Sequence, residues 1–364
     1  MTDATVPQAG LLRSAWANPI LLLVLTTLIW AGHSIVGRLA VGQIGPMTLT
    51  CMRWAVALVP ILIAARPSLR RDWPLLRAHW FYLAMMGAAG YTAFVALFYV
   101  AAHRTSALNL SIIQGAIPAL VLLGARLFLG LRFTALQALG AIITMLGVAA
   151  IAAEDDPARL VALAFNSGDV MMVVAAVLYA GYTVGLRQRP NVSGLSMLAA
   201  MALAALITSI PLMIWEIVSG GFVWPTAAGL LALVYVALGP AFAAQIFFMR
   251  GVELIGPGRA GVFVNLVPVF GAIMAVALIG EPFAAYHVVA LILVVGGIAI
   301  AQSGSRSSPL PLRERGQGRG VRAARRLSPR RLTAPGPLIR RLRRHLLPQG
   351  EKETSGGETD GPLD

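Results

Sequence analysis

Charge is scarce in this chain, and acids are scarcer than bases. Only 12% of the 364 residues are charged, with 15 Asp and Glu against 29 Lys and Arg. A water-soluble domain carries about a quarter of its residues charged, so a soluble fold is excluded. Cysteine is almost missing: Cys51 stands alone, which rules out an internal disulfide and a thiolate metal cluster. There is no Gly-Lys-Ser/Thr phosphate loop, no histidine–carboxylate metal cluster, and no serine or cysteine nucleophile with its partners at membrane depth. A membrane-embedded enzyme or sensor therefore stays a weaker alternative to a carrier, and no metal or cofactor is expected.

What the chain has instead is apolar sequence, 58% of the whole, at a mean hydropathy of +0.77. Runs of roughly 20 apolar residues are what a bilayer core requires, because a helix pairs its own backbone groups where no water can. Ten such runs can be read: 20–41, 47–65, 81–102, 106–130, 133–153, 170–186, 195–218, 227–249, 260–279 and 283–302. The first follows Arg13 and could be a signal peptide, but its apolar part exceeds a typical signal core of about 7 to 15 residues, which favours a retained helix. The expected fold is an all-α membrane protein of ten transmembrane helices.

The second half repeats the first. Pro118 answers Pro268, Gly130 answers Gly280, Phe133 answers Phe283 and Gly147 answers Gly297, all at one common offset. Pro60 and Pro211 extend the match with one inserted residue. The expected division is a leader (1–18), a five-helix repeat (19–153), a polar linker (154–167), a second five-helix repeat (168–302) and a basic tail (303–364). With five helices each, the halves enter the membrane in opposite senses. Arg66, Arg70, Arg71, Arg77, Arg132, Arg187, Arg189, Arg250 and Arg259 fall on one side, and the other side holds Arg38, Arg104 and Arg159 with the acidic Glu154, Asp155 and Asp156. Short cytoplasmic loops collect Lys and Arg, so both termini are expected in the cytoplasm. Inverted repeats are found chiefly in secondary transporters, whose substrate site lies between the repeats near the midplane.

Several separated motifs strengthen that reading: Trp30-Ala31-Gly32, Arg53-Trp54, Thr105-Ser106-Ala107, Gly168-Asp169, the mid-helix Pro118 and Pro268, and Gly280-Glu281-Pro282-Phe283. In order and spacing the chain from Pro19 to about Ser303 resembles the drug/metabolite transporter superfamily, in particular its EamA-type ten-helix members. The departure is Leu131, where the family pattern places a glutamate equivalent to Glu281. The resemblance implies an exporter of metabolites or drugs in the bacterial inner membrane, driven by a gradient and not by ATP.

Polar groups inside the spans are costly and are functional candidates by default. Arg53 either meets an anionic or zwitterionic substrate or is a structural arginine hydrogen-bonded to loop carbonyls. His33 either carries a coupling proton or is simply bonded to a neighbouring helix. Glu281, ahead of Pro282, reads best as a solvated carboxylate at the start of the last helix, and Asp169 in the same way at the start of the sixth. Asn109, Ser111, Gln114, Gln245 and Asn265 form a neutral set beside Pro118 and Pro268, whose missing N–H groups interrupt their helices. Tyr91, Phe94, Phe98, Tyr99, Tyr179 and Tyr182 supply candidate walls for an amphipathic or amino-acid-like substrate, with ordinary helix packing as the plain alternative.

The tail carries 13 Arg and one Lys against six acids and is rich in Pro, Gly and Ser, a composition expected to stay disordered. Leu338, Leu342 and Leu346 would align on one face of a short basic helix suited to anionic lipid. No folded module or aromatic interleaving supports nucleic-acid binding, and none is expected. The tail also resembles translated repetitive DNA, so an extension without function is the favoured reading.

Overall fold

Asn18 opens the first membrane helix: its side chain accepts from the backbone N–H groups of Ile20 and Leu21, and Pro19 fills a first-turn position that needs no donor. The computed structural model describes residues 14–130, 134–153, 156 and 166–306. The start of the leader, Leu131 to Phe133, most of the linker and the basic tail after Arg306 lie outside the described residues, as do the readings made on them.

The described residues contain helices and no strand. They run α1 (Pro19–Leu39), α2 (Pro46–Ala78), α3 (Trp80–Ala102), α4 (Ala107–Leu129), α5 (Ala135–Ala153), α6 (Ser167–Gln188), α7 (Gly194–Val218), α8 (Ala227–Ile255), α9 (Pro257–Phe263 continuing as Leu266–Ile279) and α10 (Ala285–Arg306). Nine of these are long and apolar enough to cross a membrane, and the apolar part of α5, Ala135–Ile151, is shorter. The chain is a polytopic all-α membrane protein built from two five-helix repeats.

Several boundaries differ from the sequence reading: α8 runs on past 249 to Ile255, and two other differences move named residues. The α2 helix does not stop near Ala65: it continues through Pro60, Pro67 and Pro74 to Ala78, so Arg66, Arg70, Arg71 and Arg77 sit on a helix and not in a loop. At 1.5 Å per residue its 33 residues reach about 50 Å, well beyond a hydrocarbon core of about 30 Å. The last helix begins at Ala285, so Pro282 does not start it.

The duplication is visible in irregularities as well as in helices. A π-helical turn interrupts α3 at Ala88–Ala93, and a second interrupts α8 at Gly239–Ala243. Both α4 and α9 break in the middle, at Gly115-Ala116 and Val264-Asn265, and Pro118 and Pro268 stand in the first turn of the helix that resumes after each break. Gly130 and Gly280 end the two helices in the left-handed conformation, with φ of +64° and +66°, which glycine adopts without the Cβ penalty.

Packing follows the same pairing. α2 lies against α7, and α5 against α10. In the α5–α10 contact, a Cβ on Gly297 would fall 2.6 Å from the Gly140 carbonyl, so the two backbones touch where the glycines permit it. Carboxylates tie α2 to α7 at both ends. Glu216, near the end of α7, accepts from the N–H groups of Met47 and Thr48 at 2.9 Å each and from the Thr48 hydroxyl at 2.6 Å. Asp72, near the end of α2, accepts from the Ser193 N–H at 2.9 Å, just ahead of α7. Each carboxylate thus meets unpaired donors at the other helix's start.

Candidate functional site

A cavity of about 1310 Å³ lies between the repeats. It reaches from His33, Arg53 and Trp54 in the middle of the bundle to Arg189, Gly194 and Arg259 at the end where α6 and α8 finish and α7 and α9 begin. Its aromatic wall is continuous. Trp54 and Tyr91 stack at 4.8 Å with planes 7° apart, Tyr91 meets Tyr182 at 5.6 Å, Tyr182 meets Tyr179 at 5.3 Å, and Tyr179 meets Phe94 at 4.8 Å. Tyr91 stands on the π-helical turn of α3. Gly90 beside it leaves the room that the Tyr182 ring fills, since a Cβ there would overlap the ring.

The polar groups of the cavity are few. Arg53, only 5% exposed, donates through Nη1 to His33 Nε2 at 2.9 Å and to the Tyr99 hydroxyl at 3.0 Å. A guanidinium can only donate, so Nε2 of His33 is the acceptor, and the ring is further held by stacking on Phe98 at 4.5 Å. The Arg53 charge also lies 5.2 Å from the Trp54 ring centre. Gln114 donates to Ser34 at 3.1 Å, and Asn265 accepts from Gln302 at 3.3 Å. Gln245, Pro118 and Pro268 complete this part of the lining. Among the described residues, no Asp or Glu lines the cavity.

The cavity lining does not extend to the opposite end of the bundle, where two carboxylates cap helix starts. Glu281, in the turn after α9, accepts from the N–H groups of Ala107 and Leu108 at 2.8 Å each and so caps the start of α4. The sequence reading gave this carboxylate to its own following helix; the structure gives it to another helix of the other repeat. Glu216 closes the start of α2 at the same end of the bundle.

The profile of the EamA-like transporter family matches residues 17–153 and again residues 166–302, one copy for each five-helix half. The chain belongs to this family. Similar proteins include the uncharacterized transporter YyaM of Bacillus subtilis (strain 168), 26% identical over 275 residues that cover 72% of this chain and 87% of that protein. Another is a probable terminal-alkyne amino-acid exporter of Streptantibioticus cattleyicolor, 25% identical over 275 residues, covering 74% and 86%. A solved structure described as "Crystal structure of protein" superposes with a TM-score of 0.55 at 19% identity, covering 80% of this chain and 99% of that one, a likeness of fold. This EamA-like protein is a membrane transporter of drug/metabolite superfamily type.

Four sequence candidates stand outside the cavity of this EamA-like transporter, one of them Tyr99, which is buried and accepts from Arg53. Phe98 is fully buried behind His33. Ser111 bonds to the Ala107 carbonyl of its own helix and fills the space left by Gly271 on α9. Asn109 turns away to a buried polar cluster, donating to Asp169 at 3.3 Å and accepting from His287 at 3.2 Å, while Thr105 also donates to Asp169. Asp169 does lie in the first turn of α6, and it accepts from side chains of α4 and of the turn before that helix.

Sequence reasoning missed Glu216, Asp72 and His287. Glu216 carried a usable signal, an acid three residues inside the end of an apolar span. Its partners are backbone N–H groups on a helix 168 residues away, which no side-chain pattern reveals.

Proposed function

We propose that this protein is a secondary transporter that exports small organic molecules by alternating access of the cavity between its repeats, without ATP. The observation that carries the reading is a cavity lined by both repeats that extends toward one end of the bundle and not toward the other, where carboxylates sit on helix starts. A carrier needs such a one-sided site, with its opposite closure made of contacts that can be exchanged.

The end the cavity reaches carries the larger share of arginines, with Arg71, Arg77, Arg187, Arg189 and Arg259 near it against Arg38 and Arg104 at the other, so we place it in the cytoplasm of a bacterial cell, with the cavity facing inward for loading. The exporter named among the relatives supports the direction and a small organic cargo. An alternative as a non-transporting sensor or enzyme gains no support from the cavity, whose lining combines aromatic rings, amides and arginines without a carboxylate general base.

The test is uptake and efflux of amino acids, amines and antimicrobial dyes in proteoliposomes, with and without an imposed pH gradient. Flux of a panel member in the absence of ATP is expected. Because His33 Nε2 already accepts from Arg53, His33→Ala is expected to weaken substrate affinity and to leave any response to the pH gradient in place. Absence of flux for every compound, or turnover of one of them by purified protein, would contradict the proposal.

A further inference from the structure

The cavity contains a buried cation without a counter-ion. Arg53 uses Nη1 on two neutral partners, His33 and Tyr99, and leaves Nε with no hydrogen-bond acceptor. Trp54, next in the chain and in the same wall, has an unmatched indole N–H as well. Arg71 pairs with Asp72 and Arg250 with Glu253, and neither pair involves Arg53. A buried charge without a partner is costly, and a buried donor without an acceptor adds to that cost. This wall therefore has donors in excess and lacks an anion.

We propose that the missing anion is the substrate, and that the site selects organic carboxylates with a flat apolar body over organic cations. The inference rests on the carrier reading above. The Nε and Nη2 edge of the Arg53 guanidinium, with Nε buried and without an acceptor, has the two parallel donors that a carboxylate accepts side-on. The stacked Trp54 and Tyr91 rings, continued by Tyr182, offer an aromatic surface for the body of the same molecule. Arg189 and Arg259 at the mouth add positive charge along the entry route. A cationic amine meets three arginines and no acid among the lining residues, which disfavours both its entry and its binding.

Three probes of nearly one shape isolate the charge: 3-phenylpropionate, 3-phenylpropionamide and 3-phenylpropylamine. Their binding to the purified full chain in lipid nanodiscs is followed by tryptophan fluorescence and calorimetry. The carboxylate is expected to bind about tenfold tighter than the amide or better, the scale of one charge-assisted hydrogen bond, and the amine weakest. Arg53→Gln is expected to cost the carboxylate more than the amide and so to remove its tenfold preference, with Arg53→Lys in between. If Arg53→Gln does not give monodisperse protein, Trp54→Phe, which deletes the indole N–H, is expected to weaken the carboxylate more than the amide. Equal or tighter binding of the amine, or full carboxylate affinity in folded Arg53→Gln, would overturn the proposal. Amine exchange in proteoliposomes without carboxylate exchange would sink the anion assignment and keep the carrier, whereas no binding and no exchange of any probe would sink both.

Discussion

Replacing Glu281 by glutamine should loosen the closed end of the bundle while leaving the cavity intact. In the structure the carboxylate receives two N–H groups at 2.8 Å from the start of α4. Glutamine keeps one acceptor and sets an NH₂ against the second donor. The loss is one charge-assisted hydrogen bond and the attraction between a negative charge and the helix start, together about 2–4 kcal/mol. Because opening breaks these bonds anyway, the cost falls only on the closed state. A shift of about 2 kcal/mol raises the population of the opened form about 30-fold. Ser111 reports on this: it is fully buried on α4, between the cavity residue Gln114 and the capped start of the helix. In a Cys51→Ala background with Ser111→Cys, the rate of modification by an impermeant maleimide applied from the closed end is expected to rise at least tenfold with Glu281→Gln. Equal rates with and without the substitution would refute the assignment of Glu281 to the closure.

Other consequences can be measured on purified protein. Glu216→Gln removes an acceptor from a site with three donors and should lower the thermal unfolding midpoint in detergent, whereas replacement of the exposed Glu253 should leave it unchanged. Gly90→Ala places a methyl group in the Tyr182 ring; overpacking of this kind costs about 1–3 kcal/mol, and probe binding in the cavity should fall while the protein stays monodisperse. Gly297→Ala pushes against the Gly140 backbone, which has no rotamer to change, and should lower the midpoint without altering the relative affinities of charged and neutral probes. Asn109→Ala should likewise destabilise the protein through its cluster with Asp169 and His287 and leave cavity affinity unchanged, since Asn109 is outside the lining.

Much of the architecture was legible because lipid leaves few options for a chain this apolar. The number of spans and the duplication follow from apolar run length and from paired residues such as Pro118 with Pro268 and Gly130 with Gly280. Gly130 and Gly280 do carry the left-handed backbone that makes glycine informative in sequence. What escaped was long-range and mediated by backbone. The π-helical turns in α3 and α8 have no side-chain signature, although one of them sets the position of Tyr91. The extension of α2 was hidden by three prolines and a run of arginines, which read as a loop. The same limit applies at the site: Arg53, His33, Tyr91, Gln114, Tyr179, Tyr182, Gln245 and Asn265 share one cavity, whereas Asn109 and Ser111, only a turn or so from Gln114, face other helices. Helical spacing alone separates those positions by angle, but only the neighbours decide which angle is the wet one.

The central claim is that one cavity serves both sides of the membrane in turn. Counterflow tests it most directly: proteoliposomes loaded with unlabelled 3-phenylpropionate are diluted into a trace of the labelled compound without ATP. A carrier that alternates is expected to accumulate label transiently above the external concentration, and Arg53→Gln to reduce that overshoot. Label that enters without any overshoot, or uptake that is indifferent to the internal load, would contradict the account.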